Sequence, residues 1–123
     1  MFGFPKAARL LRPVEFRLVQ DGGRRASGGL LALTVRPRAD GQGSRIGLAI
    51  SKRVGNAVAR NHVKRRVREA ARHLLPVMPD VDVVVSGRPA ATTADAAAIR
   101  VELERLLRKA GVRMSDAPRE RDT

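Results

Sequence analysis

Apolar and polar residues alternate in two stretches of the chain, 31–35 and 46–51, and this period of two predicts two β-strands. The first strand is expected to have one better-buried face. The second has an aliphatic face and a face of small residues, so another group can approach its backbone closely there. A valine-rich run at 81–86 predicts a third strand in the centre of a sheet.

Three other stretches repeat their apolar residues every three or four positions, which is the period of an α-helix. The first covers 13–21, where Pro13 suits a helix start and Gly22-Gly23 ends the pattern. The second runs over 56–75 and the third over 95–110.

The connecting segments contain residues typical of turns. The stretch 24–29 is predicted to be a loop or a short edge strand, and 36–44, with its Pro and Gly residues, a hairpin loop. The resulting order, α-β-β-β-α-β-α when the edge strand is counted, predicts an α+β fold with helices packed on a small mixed sheet. We expect a single domain over 1–113 and a polar, disordered tail over 114–123.

The most distinctive stretch is 51–72, SKRVGNAVARNHVKRRVREAAR, which contains eight Lys or Arg and one acidic residue, Glu69. Gly55 breaks the preceding strand, and Asn56 can cap the first turn of the helix. A run this basic requires a polyanion as its partner.

On a helical wheel this basic helix has two opposite faces. The apolar face carries Val63, Val67, Ala70 and Leu74. The opposite face carries Asn61, Arg65, Arg68 and Arg72, and Arg60 and Lys64 lie between the two. The planar guanidinium group of arginine can donate two hydrogen bonds to the oxygens of one phosphate, so this face suits an RNA or DNA backbone. The alternative is a solvated helix face, but such faces interleave Glu with Lys, whereas these charges are expected to be unneutralised.

The composition of the chain limits the classes of partner that it can bind. The 123-residue chain has a formal charge of +13, which is typical of a domain that meets nucleic acid or an anionic membrane. A membrane is disfavoured because no apolar run approaches the roughly 20 residues needed to span one. The absence of Cys excludes disulfides, thiol catalysis and Cys-based zinc sites, and a cytoplasmic location is expected.

Aromatic residues are scarce: Phe2, Phe4 and Phe16 are the only ones in the sequence. Binding of single strands by stacking many bases on aromatic side chains is therefore excluded. Recognition must rest on charge, shape and backbone contacts, with Phe16 as a possible single stacking point.

These motifs resemble the protein subunit of bacterial ribonuclease P over about residues 4–110. The most specific part is 45–65, RIGLAISKRVGNAVARNHVKR, which is similar to the family's strand, its Ser-Lys-Lys/Arg turn and its Arg-Asn-Arg-x-Lys-Arg helix. Arg9-Leu10-Leu11 followed by Glu15-Phe16 and Val19 resembles the family's first helix. The stretch 81–85 with Arg88-Pro89-Ala90 resembles its late strand and turn.

The resemblance implies a four-stranded sheet with three helices and a left-handed βαβ crossover around the basic helix. It implies that the catalyst is a large RNA, which uses Mg²⁺ to hydrolyse the phosphodiester at the 5′ end of precursor tRNA. The protein would bind that RNA 1:1 and hold the 5′ leader of the substrate. It would supply no catalytic side chain and bind no metal firmly by itself.

The resemblance also assigns residues. Arg60, Asn61, Lys64 and Arg65 match the family motif and are expected to face the catalytic RNA, with Arg68 and Arg72 extending the same face by helix geometry. Phe16 matches the first-helix aromatic of the leader cleft. Lys52, Arg53 and Arg88 match its rim, and Ser51 with the small face of its strand would form part of its floor.

The chain departs from the family pattern at three places. His62 stands where the family motif has its second Arg, which weakens one expected phosphate contact. Val19-Gln20 and 31–33 lack aromatics that many relatives carry. Stacking on the leader is therefore expected to rest on Phe16 alone.

Independent RNA cleavage by the protein is disfavoured. His62 and His73 are about three helical turns apart and cannot act on one phosphate together. Asp80 and Asp82 could hold a cation, but a turn with solvated acids is the favoured interpretation. Glu102 and Glu104 are better explained by pairing with neighbouring arginines.

Three further alternatives concern Phe16 and the type of protein. An aromatic residue on an apolar helix face is ordinarily core, and only the resemblance favours the cleft for Phe16. A structural RNA-binding protein of the ribosomal type fits the same composition. A helix-turn-helix DNA-binding protein is disfavoured because strands flank the basic helix.

Overall fold

The computed structural model describes residues 8–10, 12–38, 41 and 43–115. The α-helices within that part are α1 (Pro13–Gly22), α2 (Ala57–Leu74) and α3 (Ala96–Lys109), and the strands are β1 (Arg24–Ser27), β2 (Leu31–Pro37), β3 (Arg45–Ala49) and β4 (Val81–Gly87). Short 3-10 helices follow α2 and β4, at Leu75–Val77 and Pro89–Thr93. The predicted α+β class and element order are confirmed, including the edge strand.

The four strands form one sheet in the order β1-β2-β4-β3. Strand β2 pairs antiparallel with β1 and β4, whereas β3 runs parallel to β4, so α2 is the crossover between two parallel strands. The handedness of this crossover stays a prediction.

The predicted hairpin between β2 and β3 is wrong, because β4 lies between these two strands. The physical reason is burial: Val81 to Val85 are all buried, and a strand that is apolar on both faces is most stable in the centre of a sheet. Residues 39, 40 and 42 of the connecting segment lie outside the described residues.

The two faces of the sheet are covered by different helices. On one face, Leu33 of β2 and Val83 and Val85 of β4 pack into the main core with α2 and α3. On the other face, Val84 packs with Val19 and Phe16 of α1. All of residues 31–35 are buried, so β2 has two covered faces where one better-buried face was expected.

Both ends of the described chain are attached to this frame. The Leu10 N–H donates to the Ile46 carbonyl at 3.1 Å, so the segment before α1 lies along β3. Met114 packs against the main core, and the Ser115 N–H donates to the Val77 carbonyl at 2.8 Å. The predicted tail beyond Ser115 lies outside the described residues, as do Phe2 and Phe4. None of the described helices is long and apolar enough to cross a bilayer.

Glu102 of α3 fixes the start of β2. One of its carboxylate oxygens accepts hydrogen bonds from the Leu30 and Leu31 amides at 2.6 and 2.8 Å, and the other accepts from Arg105 at 3.1 Å. Burial acts to raise the pKa of Glu102, but the two amides and Arg105 outweigh it, and the pKa is lowered. The predicted pairing of Glu102 with an arginine is confirmed, and so is the Glu104 pair with Arg108 at 2.9 Å.

Replacing Glu102 with Gln is expected to destabilise the protein by about 1 kcal/mol at neutral pH, because charge-assisted hydrogen bonds become neutral ones. A lowered folded-state pKa means that this stabilisation is present above the ordinary glutamate range and is lost as pH falls through the folded value. The difference from the unaltered protein should therefore shrink on acidification, as measured by urea unfolding at several pH values. Glu104→Gln, at an exposed ion pair, is the control; a difference independent of pH would contradict the assignment.

Candidate nucleic-acid interface

Helix α2 is fixed by its cap and its apolar face. The Asn56 side chain accepts a hydrogen bond from the Ala59 amide at 2.8 Å, as predicted. The predicted apolar residues are buried, with exposed fractions of 0% to 3%: Val63, Val67, Ala70 and Leu74. Because these positions are locked into the core, the opposite side of the helix is held rigidly toward solvent.

The opposite face carries the predicted polar and basic residues. Asn61, Arg65 and Arg68 are exposed, while Arg60 and Lys64 are partly buried at its margin. The Arg60 guanidinium donates to the Gly55 carbonyl at 3.1 Å, which holds it beside the first turn. We call Arg60, Asn61, Lys64, Arg65, Arg68 and Arg72 the basic face of α2.

At one end of the basic face, the positive charge of Arg72 is neutralised by an acidic residue, Glu69. The expectation that these charges are unneutralised is wrong there. Glu69 forms an ion pair with Arg72, three positions along the helix, and its carboxylate also lies 3.1 Å from His73 Nε2. The hydrogen bond from Arg72 is the main cause of a lowered Glu69 pKa. The sequence argument counted charges without pairing them, and a spacing of three was the signal that it missed.

Arg66 belongs to the same basic run but has a different role. Its guanidinium donates to the Ala94 carbonyl, just before α3, and therefore ties α2 to α3. Arg66 is therefore interpreted as a structural residue that joins the two helices.

The small face of β3 is where Phe16 lies. A Cβ added to Gly47 would lie 2.6 Å from Phe16 Cζ, so the ring rests directly on the strand backbone. This confirms the expected close approach. Phe16 is only partly buried, beside Leu10, Val19 and Val84, so part of it packs and part remains accessible.

Basic residues gather at the end of the sheet where β3 and β4 finish. Because the two strands are parallel, their carboxyl ends meet at one edge. Ser51, Lys52 and Arg53 follow β3 and are exposed, and Arg88 follows β4, where it donates to the Gly28 carbonyl at 2.6 Å. Helix α2 also begins at this edge, so Arg60 lies on the same side of the molecule.

Between α1 and the sheet is a polar cleft of about 160 Å³ that sequence reasoning missed. Its lining includes Gln20 of α1, Arg25 of β1, Thr34 of β2 and Ser86 of β4. The pairing register puts Arg25 opposite Thr34 on the face that carries Val84. The stretch 24–29 was predicted only as a loop or an edge strand, so Arg25 could not be assigned to a face.

The opposite end of the same sheet face carries a buried ion cluster. Asp82 is buried, and its two oxygens accept hydrogen bonds from Arg45 at 2.9 and 2.8 Å. Bonding to Asp82 is the main cause of a raised Arg45 pKa. The expectation of a solvated acid is therefore wrong for Asp82, whose two oxygens are both engaged by Arg45. Among the described residues, no group of three or more His, Asp or Glu is arranged to hold a metal ion.

Comparison with known proteins identifies the family. A sequence model of the ribonuclease P family matches residues 4–111. The chain belongs to the ribonuclease P protein family. It is 45% identical to the ribonuclease P protein component of Thioalkalivibrio sulfidiphilus, over 84% of this chain and 86% of the relative. It is 42% identical to that of Gluconacetobacter diazotrophicus, over 88% of this chain and 95% of the relative.

Solved structures of ribonuclease P proteins share the fold. A variant of the Staphylococcus aureus protein superposes with a TM-score of 0.81 at 28% identity, covering 88% of this chain and 92% of that one. The Thermotoga maritima protein superposes with a TM-score of 0.73 at 26% identity, covering 82% and 96%. As a ribonuclease P protein component, the chain is the protein subunit of an endoribonuclease that processes tRNA precursors, and its partner is the ribonuclease P RNA.

Proposed function

We propose that this subunit makes two separate RNA contacts: the basic face of α2 binds the ribonuclease P RNA, and the cleft beside Phe16 binds the 5′ leader of precursor tRNA. The observation that carries the proposal is the division of α2 into a buried apolar face and an exposed arginine face that starts beside the sheet edge. A helix held in this way presents charges at fixed spacing, which suits a structured phosphate backbone.

Within the basic face, Arg65 and Arg68 are the strongest candidates, because both are exposed and Arg72 is already paired with Glu69. Arg60, Asn61 and Lys64 extend the contact toward the start of the helix. His62, exposed on α2, is a weaker phosphate partner than the arginine of the family motif when its ring is neutral.

The leader contact is supported by the partly exposed Phe16 and by the positive charge at the sheet edge. A base can stack on Phe16 while Lys52, Arg53 and Arg88 attract the adjoining phosphates. Ser51 contributes to the floor at the same edge. Arg25 lines the separate polar cleft on the same face of the sheet and adds positive charge there.

The hydrolysis itself is assigned to the RNA and its Mg²⁺ ions, in a 1:1 complex in the cytoplasm. His62 and His73 are about three helical turns apart on α2, and His73 is engaged with Glu69. Since both Asp82 oxygens are engaged by Arg45, this scheme gives no protein residue a metal-binding or catalytic role. Family membership favours this function over the ribosomal alternative.

The test is reconstitution of cleavage. The protein is mixed with a bacterial ribonuclease P RNA and labelled precursor tRNA at low magnesium and near-physiological salt. Cleavage at the mature 5′ end is expected only when both subunits are present, because the protein offsets phosphate repulsion that magnesium otherwise screens. Absence of stimulation by a folded protein would contradict the proposal.

A further inference from the structure

An ion cluster lies at the end of the sheet opposite the carboxyl ends of β3 and β4, and it joins β3, β4 and α1. Arg45 of β3 forms a two-pronged pair with Asp82 of β4, and its remaining terminal nitrogen donates to Glu15 of α1 at 2.9 Å. Arg38 Nε lies 3.8 Å from Asp82. The side chains are mostly withdrawn from solvent, with exposed fractions of 24% for Arg45, 25% for Glu15 and 9% for Asp82.

Glu15 is held on both sides. Its Oε2 accepts from Arg45, and its Oε1 accepts from the Arg12 amide at 3.1 Å, which closes the first turn of α1. The Arg45 guanidinium therefore helps to fix the position of this turn over the sheet, and it is itself bonded to Asp82 of β4.

The next residue along the helix is Phe16. It rests on Gly47, which is two positions beyond Arg45 on β3 and thus on the same face of the sheet. Two neighbouring contacts therefore join α1 to β3. One is the ion pair between Glu15 and Arg45, and the other is the packing of the Phe16 ring on Gly47.

A buried ion pair is weak evidence for added stability, since the cost of removing charges from water offsets their attraction. Its directional hydrogen bonds do fix orientation and register. Here these bonds orient the helix that carries Phe16.

We propose that Arg45, acting through Glu15, is a positioning residue for leader binding: it sets the place of Phe16 over β3. The inference rests on the proposed leader cleft. Arg45 and Glu15 do not contact the leader in this scheme, so their effect must pass through Phe16.

The test uses Glu15→Gln in the reconstituted holoenzyme, because this change keeps the size of the side chain and an acceptor for the Arg12 amide. The readout is the ratio of precursor to mature tRNA affinity. We expect the ratio to fall on the order of fivefold, as for neighbours within one network. Arg45→Lys, which cannot span Asp82 and Glu15 with a fork, should give the same loss. Glu104→Gln, at the exposed ion pair of α3, should leave the ratio unchanged.

A double variant separates positioning from direct contact. If Glu15 acts through Phe16, Glu15→Gln should cause no further loss when Phe16 is already Ala. The inference would be overturned if the affinity ratio of the double variant fell by the product of the two single losses, or if Glu15→Gln alone left the ratio unchanged. Neither result would contradict the proposed leader cleft. An unchanged ratio in Phe16→Ala alone would overturn the leader cleft and the inference together.

Discussion

Replacement of both Arg65 and Arg68 by Ala is expected to weaken binding of the ribonuclease P RNA roughly 30-fold near 0.15 M salt, because two phosphate contacts and their released counterions are lost. The slope of log affinity against log salt should fall by about two, one unit for each contact. Both residues are exposed, so stability should change little. The measurement is RNA titration at several salt concentrations.

The matched control is Arg100→Ala with Lys109→Ala, which removes the same number of positive charges from exposed positions of α3. If the effect depended on net charge alone, the two double variants would lose affinity equally. A larger loss for the α2 variant locates the contact on the basic face, and an unchanged salt slope would remove Arg65 and Arg68 from the interface.

Replacement of Phe16 by Ala is expected to weaken binding of precursor tRNA on the order of 10-fold, since stacking on one base contributes about 1–3 kcal/mol. Binding of mature tRNA should be unchanged, because only the precursor carries a leader. The measurement is the affinity of the reconstituted holoenzyme for the two substrates.

Val14→Ala is the control for this second variant. Val14 lies on the same helix but is 49% exposed on its outer side, so its removal tests truncation of α1 without touching the cleft. Equal losses on precursor and mature tRNA in Phe16→Ala would indicate a folding defect and count against stacking on the leader.

Features within one element were predicted well. The buried and exposed faces of α2 follow from a 3.6-residue period, and the Asn56 cap follows from a residue and its third neighbour. The smallness of Gly47 predicted a close approach, although the sequence did not name Phe16 as the group that approaches.

Features that join distant segments were missed or misassigned. The valine-rich pattern correctly predicted that β4 is a central strand, but no local pattern identified β2 and β3 as its neighbours, so the hairpin between them was wrong. The cluster of Glu15, Arg45 and Asp82 links residues separated by 30 and 37 positions. The face of the sheet on which Arg25 lies is set by the pairing of β1 with β2, so it could not be predicted from the sequence.

The sequence by itself determined a helix with one apolar face and one basic face, because charge and helical period are properties of consecutive residues. Only the tertiary structure decided what lies under Phe16. It also decided that Asp82 is an internal partner of Arg45 and not a solvated acid. The reason is that the pairing of strands and the docking of a helix are chosen by the burial of the whole chain, which no short stretch of sequence encodes.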